Sequence, residues 1–400
     1  MPIEDLVAER IRRYSPQMVD FCSRFLQVPS VNGQHPERPA AECIAAEARR
    51  LGLHVQFAGA NPERPNVIIS TAEDGPTGLL LIGHLDTVPA GDESRWQYPP
   101  FSGTVADGRI YGRGAIDTKG GMSAAVYALA ALGQVEGALT THRTQLICVP
   151  DEESGATGTL GIKVLHQHGL LSAVGAIYAY SGHQVTLGHR GLARFRVTCS
   201  GQAVHTGSVE WQERTGGANA VTGMARLLLS LEALSFPYSQ RPYFEDFRTV
   251  ITPGTMIEGG VGVSLVPDTC IALVDVRLTP EYDLSTIEWL LTECISGVTE
   301  GNPRLSFTVE RLNYLPAAIT PDTARIVGAL ETAVERVTGV RPPRVVAGPA
   351  NEGYLLIERG IPTICGMGPT GANAHAIDEY VDIPGLTDAA LIYALTAQLL

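Results

Sequence analysis

The 400-residue sequence has no hydrophobic run approaching the roughly 18 residues that a membrane-spanning helix needs. It has no basic excess either: 42 acidic side chains stand against 29 lysines and arginines, a formal charge of −13. That balance excludes nucleic acid and anionic membrane surfaces as main partners, because both need a positive field. It also has no CxxC pair. Its cysteines (Cys22, Cys43, Cys148, Cys199, Cys270, Cys294 and Cys365) are odd in number and scattered, several of them in apolar stretches such as LICVP and FRVTCS. A disulfide framework and a thiolate metal site are thereby disfavoured, and buried thiols in a reducing compartment are expected. The opening MPIEDLVAERIRRYSP is mixed-charge and amphipathic, without an apolar core or small-residue cleavage site, so it does not read as a secretory signal. The expected address is the cytoplasm.

With 44% hydrophobic and 18% charged residues, the composition is that of a globular protein. Its length exceeds one ordinary core, so two domains are expected. In the first half, AAECIAAEARRL at 40–51 has helical spacing and NVIIST at 66–71 reads as a strand. TGLLLIGH at 77–84 is a continuous apolar run, as in a strand buried on both faces. GGMSAAVYALAALG at 120–133 then reads as a small-residue helix, followed by a second buried strand at about 144–149. This alternation predicts an α/β layer with a largely parallel sheet. From about residue 190 the texture becomes α+β: strands at RFRVTCS, CIALVDVRLTP and LSFTVERL, and helices at 216–234 and DLSTIEWLLTECISG. PDTARIVGALETAVERVTG and IPTICGMGP then return to helix and buried strand. The expectation is a catalytic domain of residues 1–189 and 309–400, interrupted by a second domain at 190–308.

In open α/β sheets, ligands bind beyond the carboxyl ends of the strands. His84 and Asp86 in IGHLDTVP lie just past a buried strand, two apart and on one face of an extended segment. They suit a metal-bound imidazole steadied by a carboxylate, or a turn with an incidental histidine. Asp117 in GRGAIDTKGG lies between glycine clusters, where backbone can approach closely, and equally suits the N-cap of the helix that follows. Asp151, Glu152 and Glu153 in CVPDEESG repel one another unless a cation or solvent absorbs the charge. One such acid can bind a metal while its neighbour serves as base; the alternative is a solvated acidic turn. His375 in GANAHAIDEYVDI is a fourth candidate ligand. His35, His54, His142, His166 and His168 sit in polar contexts and read as surface residues.

Taken in order, HLDTVP, GRGAIDTKGG, PDEESG, GQAVHTG, DVRLTP and AHAIDEYV resemble the family of zinc metallopeptidases that includes acetylornithine deacetylase, succinyl-diaminopimelate desuccinylase, aminoacylase and glutamate carboxypeptidase. The resemblance runs from about residue 15 to the C-terminus. It implies a zinc-peptidase-like α/β domain interrupted by a ferredoxin-like α+β lid that also makes a homodimer. It implies one or two divalent metals, zinc or else cobalt or manganese, with His84 and His375 on separate ions, Asp117 bridging and Glu153 a further ligand. Glu152 would be the general base and Asp86 would orient His84. His205 would reach a partner's site to stabilise an oxyanion, and Arg277 would hold a substrate carboxylate. The sequence departs from the pattern in three places. AIYAYSGHQ lacks the usual acidic ligand, making His183 the nearest substitute, Ser264 in SLVP replaces an asparagine, and Asn351 in GPANEG replaces an aspartate. The implied activity is hydrolysis of a C–N bond in a small carboxylate-bearing substrate, an N-acyl amino acid or dipeptide. The departures leave room for removal of an amino group from a small aromatic amine, and a metal-free binding protein on the same fold is the non-enzymatic alternative.

Overall fold

The computed structural model describes residues 1–139 and 141–400. It divides into two compact units, one of residues 1–189, 319–347 and 351–400, the other of 190–318 and 348–350. The chain returns to the first unit at 319 rather than at the expected 309. The reason is the strand Ser306–Leu315, which pairs with Gly191–Ser200 along its length and so belongs to the second unit's sheet.

The first unit is built on a six-stranded sheet, in the order His54–Ala58, Asn66–Ser70, Arg143–Val149, Thr77–His84, Gly175–Ala179, Thr363–Met367. The first two pairings are antiparallel and the other three parallel, giving a mixed, largely parallel α/β layer. Every residue of Thr77–His84 is buried, as its unbroken apolar run requires. Full burial of Leu79, Leu80, Leu81 and Ile82 contributes about 1.5–3 kcal/mol per side chain, which anchors the end of the strand that carries His84. The helix Gly120–Gln134 is buried almost all round and packs against the helices Ile3–Leu26 and Ile383–Leu399. Its glycine start is a packing requirement, since a Cβ on Gly121 would sit 2.3 Å from the Ala179 carbonyl oxygen. A small antiparallel sheet joins Thr104–Ala106, Arg109–Tyr111, Tyr380–Asp382 and Gly371–Ala372, bringing the segment around His375 to the one that leads into Asp117.

In the second unit the antiparallel order is Val250–Gly259, Thr269–Leu278, Gly191–Ser200, Ser306–Leu315. Thr269–Leu278 alternates between buried and more exposed residues, as a strand with one face on a core should. Helices Ala220–Glu232 and Leu284–Gly301 supply Leu227, Leu231, Ile287 and Leu291 to that core, against Phe195, Val197 and Val274. Asn219 and Asp283 cap the two helices through their side chains. All seven cysteines are free. No helix among the described residues is long and apolar enough to cross a membrane.

Candidate metal centre

His84 ends its strand opposite Val149, and the Leu85 amide donates to the Val149 carbonyl at 2.8 Å. Residues 85–86 and 150–153 therefore leave the sheet side by side. Asp86, fully buried, uses its carboxylate to accept the amides of Glu152 at 3.1 Å and Glu153 at 2.9 Å, and the Asn32 side-chain amide at 2.6 Å. Burial works against its ionisation, but His84, Asn32 and the Glu153 amide outweigh burial and hold its pKa low. The expected pairing of Asp86 with His84 is thus corrected in its atoms. The His84 Nδ1 lies 2.9 Å from the Asp86 backbone carbonyl and 3.6 Å from its carboxylate, because that carboxylate is engaged by the acidic turn. Asp151 is drawn aside by Arg64 at 3.0 Å and Asn32 at 3.2 Å, which leaves Glu152 and Glu153 as the acids of the centre.

Asp117 is not the helix cap. The cap position belongs to Lys119, and Asp117 sits in a tight turn two residues earlier. A residue that sequence reasoning missed builds that turn: Glu379, fully buried, accepts the amides of Gly114, Ile116 and Asp117 at 2.9–3.1 Å and pairs with Arg113 at 2.6 Å. Because Glu379 follows His375 by four residues, one carboxylate organises both segments. The visible signal was an acid inside AHAIDEYV, but nothing local distinguishes it from its neighbours.

These constraints converge. The His84 Nε2 lies 2.8 Å from Asp117 Oδ1, and the His375 Nε2 lies 3.1 Å from Asp117 Oδ2 and 3.0 Å from Glu153 Oε1. Donor atoms of His84, Asp117 and Glu153 fall within 4.8 Å of one another. The residues fit a divalent cation by their chemistry. The His84 Nδ1 faces a carbonyl, which only accepts, so Nδ1 carries hydrogen and a neutral ring directs its Nε2 lone pair at a carboxylate. Only a proton or a metal resolves that opposition. Donors about 2.0–2.1 Å from a tetrahedral zinc would stand roughly 3.3 Å apart, close to the separations seen.

Without a metal the protons fill the role. Hydrogen bonds to Asp117 and then Glu153 push the His375 pKa up to about 10. Burial opposes protonation of His84, but Asp117 and Asp86 prevail and raise its pKa. The His375 ring is therefore charged at pH 8 in the metal-free chain. A cation must displace that proton, so loading is expected to release protons at pH 8, and affinity should rise as pH climbs towards about 10. Calorimetry in buffers of different ionisation enthalpy measures the release, and a proton count of zero contradicts the geometry. The linked stability runs the other way. The His375 contacts help the metal-free fold fully below about pH 6.5 and are lost as pH rises through about 10.

Glu152 stands beside this cluster with a raised pKa, caused first by burial and then by the charges of Glu153, Glu352 and Asp117, with His84 opposing. Glu352 is a second residue the sequence did not announce. It is fully buried, and burial followed by the Asp86 charge lifts its pKa to about 8. Its neighbour Asn351, expected at the substrate, instead donates to the Cys365 carbonyl at 2.6 Å and accepts the Gly353 amide at 2.9 Å, so both ends of its amide serve the backbone. The His183 Nε2 is buried without a hydrogen-bond partner among the described residues. Its ring has no ion pair with the four candidate ligands among the described residues, and the charge it feels is that of Asp388.

In the second unit, His205 and Ser264 lie together. Leu265 bridges His205, and the Thr206 amide donates to the Ser264 carbonyl at 3.1 Å. The His205 Nδ1 accepts the Gly207 amide at 3.0 Å. Arg277 pairs with Asp275 at 2.8 Å, an acid it shares with Arg194. Of the remaining histidines, His35, His54, His166 and His168 are exposed and His142 is half-buried.

Residues 80–399 match the family described as Peptidase family M20/M25/M40. The chain belongs to that family. Succinyl-diaminopimelate desuccinylase 2 of Shewanella loihica is 26% identical over 388 residues, covering 93% of this chain and 97% of the relative. An M20 family metallo-carboxypeptidase from Sulfolobus solfataricus superposes with a TM-score of 0.78 at 19% identity, over 96% of this chain and 98% of that one. A dinuclear metal-binding M20 peptidase from Bacillus subtilis gives 0.70 at 15% identity, over 97% and 98%. This M20-family chain is a metallohydrolase acting on amide C–N bonds, and His84, Asp117 and Glu153 form its candidate metal site.

Proposed function

We propose that this chain hydrolyses the amide bond of a small N-acyl amino acid or dipeptide, with Glu152 carrying the proton. The observation behind this reading is the convergence of His84, Asp117, Glu153 and His375 beside Glu152, whose backbone amide is fixed by Asp86. Those four residues would hold the cation, zinc first and cobalt or manganese as alternatives. When bound, it supplies a Lewis-acidic charge that polarises a carbonyl and brings the acidity of water towards a pKa of ~7. Glu152 accepts the proton of the attacking water and returns it to the departing nitrogen, so one carboxylate acts as base and then acid. Its withdrawal from water makes the ionised form a stronger base. Asp86 holds the Glu152 and Glu153 backbone in place, keeping the base and the metal ligand at fixed spacing.

The desuccinylase relatives make N-succinyl amino acids the first compounds to test. Zinc-loaded protein assayed on N-acyl amino acids, dipeptides and arylamines is expected to release free amino acid from the first two groups and no ammonia from the third. Ammonia from an arylamine without amide cleavage would reverse the assignment. His205, Ser264 and Arg277 belong to the second unit, and the proton chemistry rests on first-unit residues alone. Homodimerisation is supported by the second unit's edge strand Val250–Gly259, with Met256 and Ile257 exposed. Sedimentation should give twice the chain mass of 42.6 kDa, and a monomer at micromolar concentration excludes it.

A further inference from the structure

Asp151 immediately precedes Glu152, and its backbone is left-handed, with φ 68°. Aspartate tolerates that region better than most residues with a Cβ, at a cost its surroundings must offset. Two side chains hold it there. Arg64 Nη2 lies 3.0 Å from Asp151 Oδ1, and the Asn32 side-chain amide donates to the same oxygen at 3.2 Å. Asn32 also donates to Asp86 Oδ2 at 2.6 Å, and Asp86 in turn accepts the amides of Glu152 and Glu153. The acidic turn is therefore gripped both by its amides and by its first side chain.

Arg64 is itself prepared for this contact. It stands just ahead of the strand Asn66–Ser70, and its guanidinium is held by Glu37, with Nε donating to Glu37 Oε2 at 2.7 Å and Nη2 donating to Oε1. Glu37 is fully buried, directly before the helix Arg38–Arg50. A guanidinium keeps its charge at any pH the fold survives, and a bidentate carboxylate fixes the plane of its fork. Nη2 is thus aimed at Asp151 by an acid without access to water.

The two acids of the turn do not depend on this anchor equally. The Glu153 side chain has a second hold in His375, at 3.0 Å. Glu152 takes its position from the turn, with its amide on Asp86 at 3.1 Å. We propose that Arg64 is a positioning residue for the general base: held by Glu37, it anchors Asp151 and so sets where the Glu152 carboxylate stands. The inference rests on the reading of Glu152 as that base. A misplacement of about 1 Å caused far from the chemistry can cost on the order of a hundredfold in rate. Loss of the anchor should therefore appear in kcat, with the metal ligands still in place.

Steady-state kinetics on N-acyl amino acids and dipeptides, with zinc per subunit counted on the same samples, tests this in a double-mutant cycle. Arg64→Ala and Asp151→Gly are each expected to lower kcat about 10–100-fold, with KM and zinc content near those of the wild type. Glycine adopts the left-handed backbone freely, so the loss in Asp151→Gly reports the anchor rather than strain. Because both changes remove one contact, the double variant should be no slower than the slower single one. Asp151→Asn keeps an acceptor oxygen and the left-handed backbone, and should recover most of the rate. Arg64→Ala strands the Glu37 carboxylate away from water. If that variant does not fold, Glu37→Met combined with Arg64→Met removes both charges together and should show the same loss in kcat. Losses that multiply in the double variant, a near-normal kcat in the paired methionine variant, or a loss confined to KM overturns the assignment of Arg64 while leaving hydrolysis intact. A zinc-loaded wild type that hydrolyses no amide overturns the reading of Glu152 instead.

Discussion

Replacing Glu152 by glutamine is expected to lower kcat roughly a hundred- to ten-thousandfold while the metal content stays that of the wild type. The substitution is nearly isosteric. The bond that positions the residue, from its backbone amide to Asp86 at 3.1 Å, does not involve the side chain and survives it. What disappears is the basic oxygen. The metal ligands stay in place, since Glu153 and not Glu152 pairs with His375. Glu153→Gln makes the contrast: it removes an anion from the cation's surroundings and should weaken metal binding along with activity. Turnover and metals per subunit measured on the same samples separate the two roles. Full zinc with near-normal turnover in Glu152→Gln would mean that another group moves the proton.

The difference between what sequence shows and what it hides follows from the range of each interaction. Thr77–His84 and Arg143–Val149 were legible because strands buried on both faces leave unbroken apolar runs, and each run points at the residues that follow it. His84, Glu152 and Glu153 could be placed at one end of the sheet for that reason. Val250–Gly259 was not legible, since Pro253 and Gly254 interrupt the alternation that marks a strand. The structure accommodates them at a bulge on an edge strand, where a proline amide is not missed. Asn32, Arg113, Glu379 and Glu352 were hidden for a different reason. Their roles depend on partners far along the chain, as in the 262 residues between Glu379 and the Asp117 amide. Asp86 was found but its partner atoms were not. Pattern can place a carboxylate near an imidazole, yet it cannot say which of the neighbouring donors claims its oxygens.

Replacing Glu379 by alanine is expected to produce the largest loss of stability of any single change in the first unit. Arg113 is 2% exposed and Glu379 is fully buried, so removing the acid strands a cation away from water. Breaking a buried pair from one side costs about 3–5 kcal/mol. The amides of Gly114, Ile116 and Asp117 lose their acceptor at the same time. The same amides shape the turn that aims Asp117 between His84 and His375, so the damage should extend from the fold to the centre. Metal stabilises the native state according to its concentration relative to Kd. The gain in unfolding midpoint on adding zinc should therefore shrink in Glu379→Ala, beyond the lower midpoint of the metal-free chain. Glu379→Gln retains an acceptor oxygen for the amides and should recover part of the zinc gain, while Arg113 still lacks its counter-charge. Denaturant unfolding of both variants, with and without zinc, resolves the two contributions. A zinc gain unchanged in Glu379→Ala would confine Glu379 to holding the fold and remove it from the positioning of Asp117.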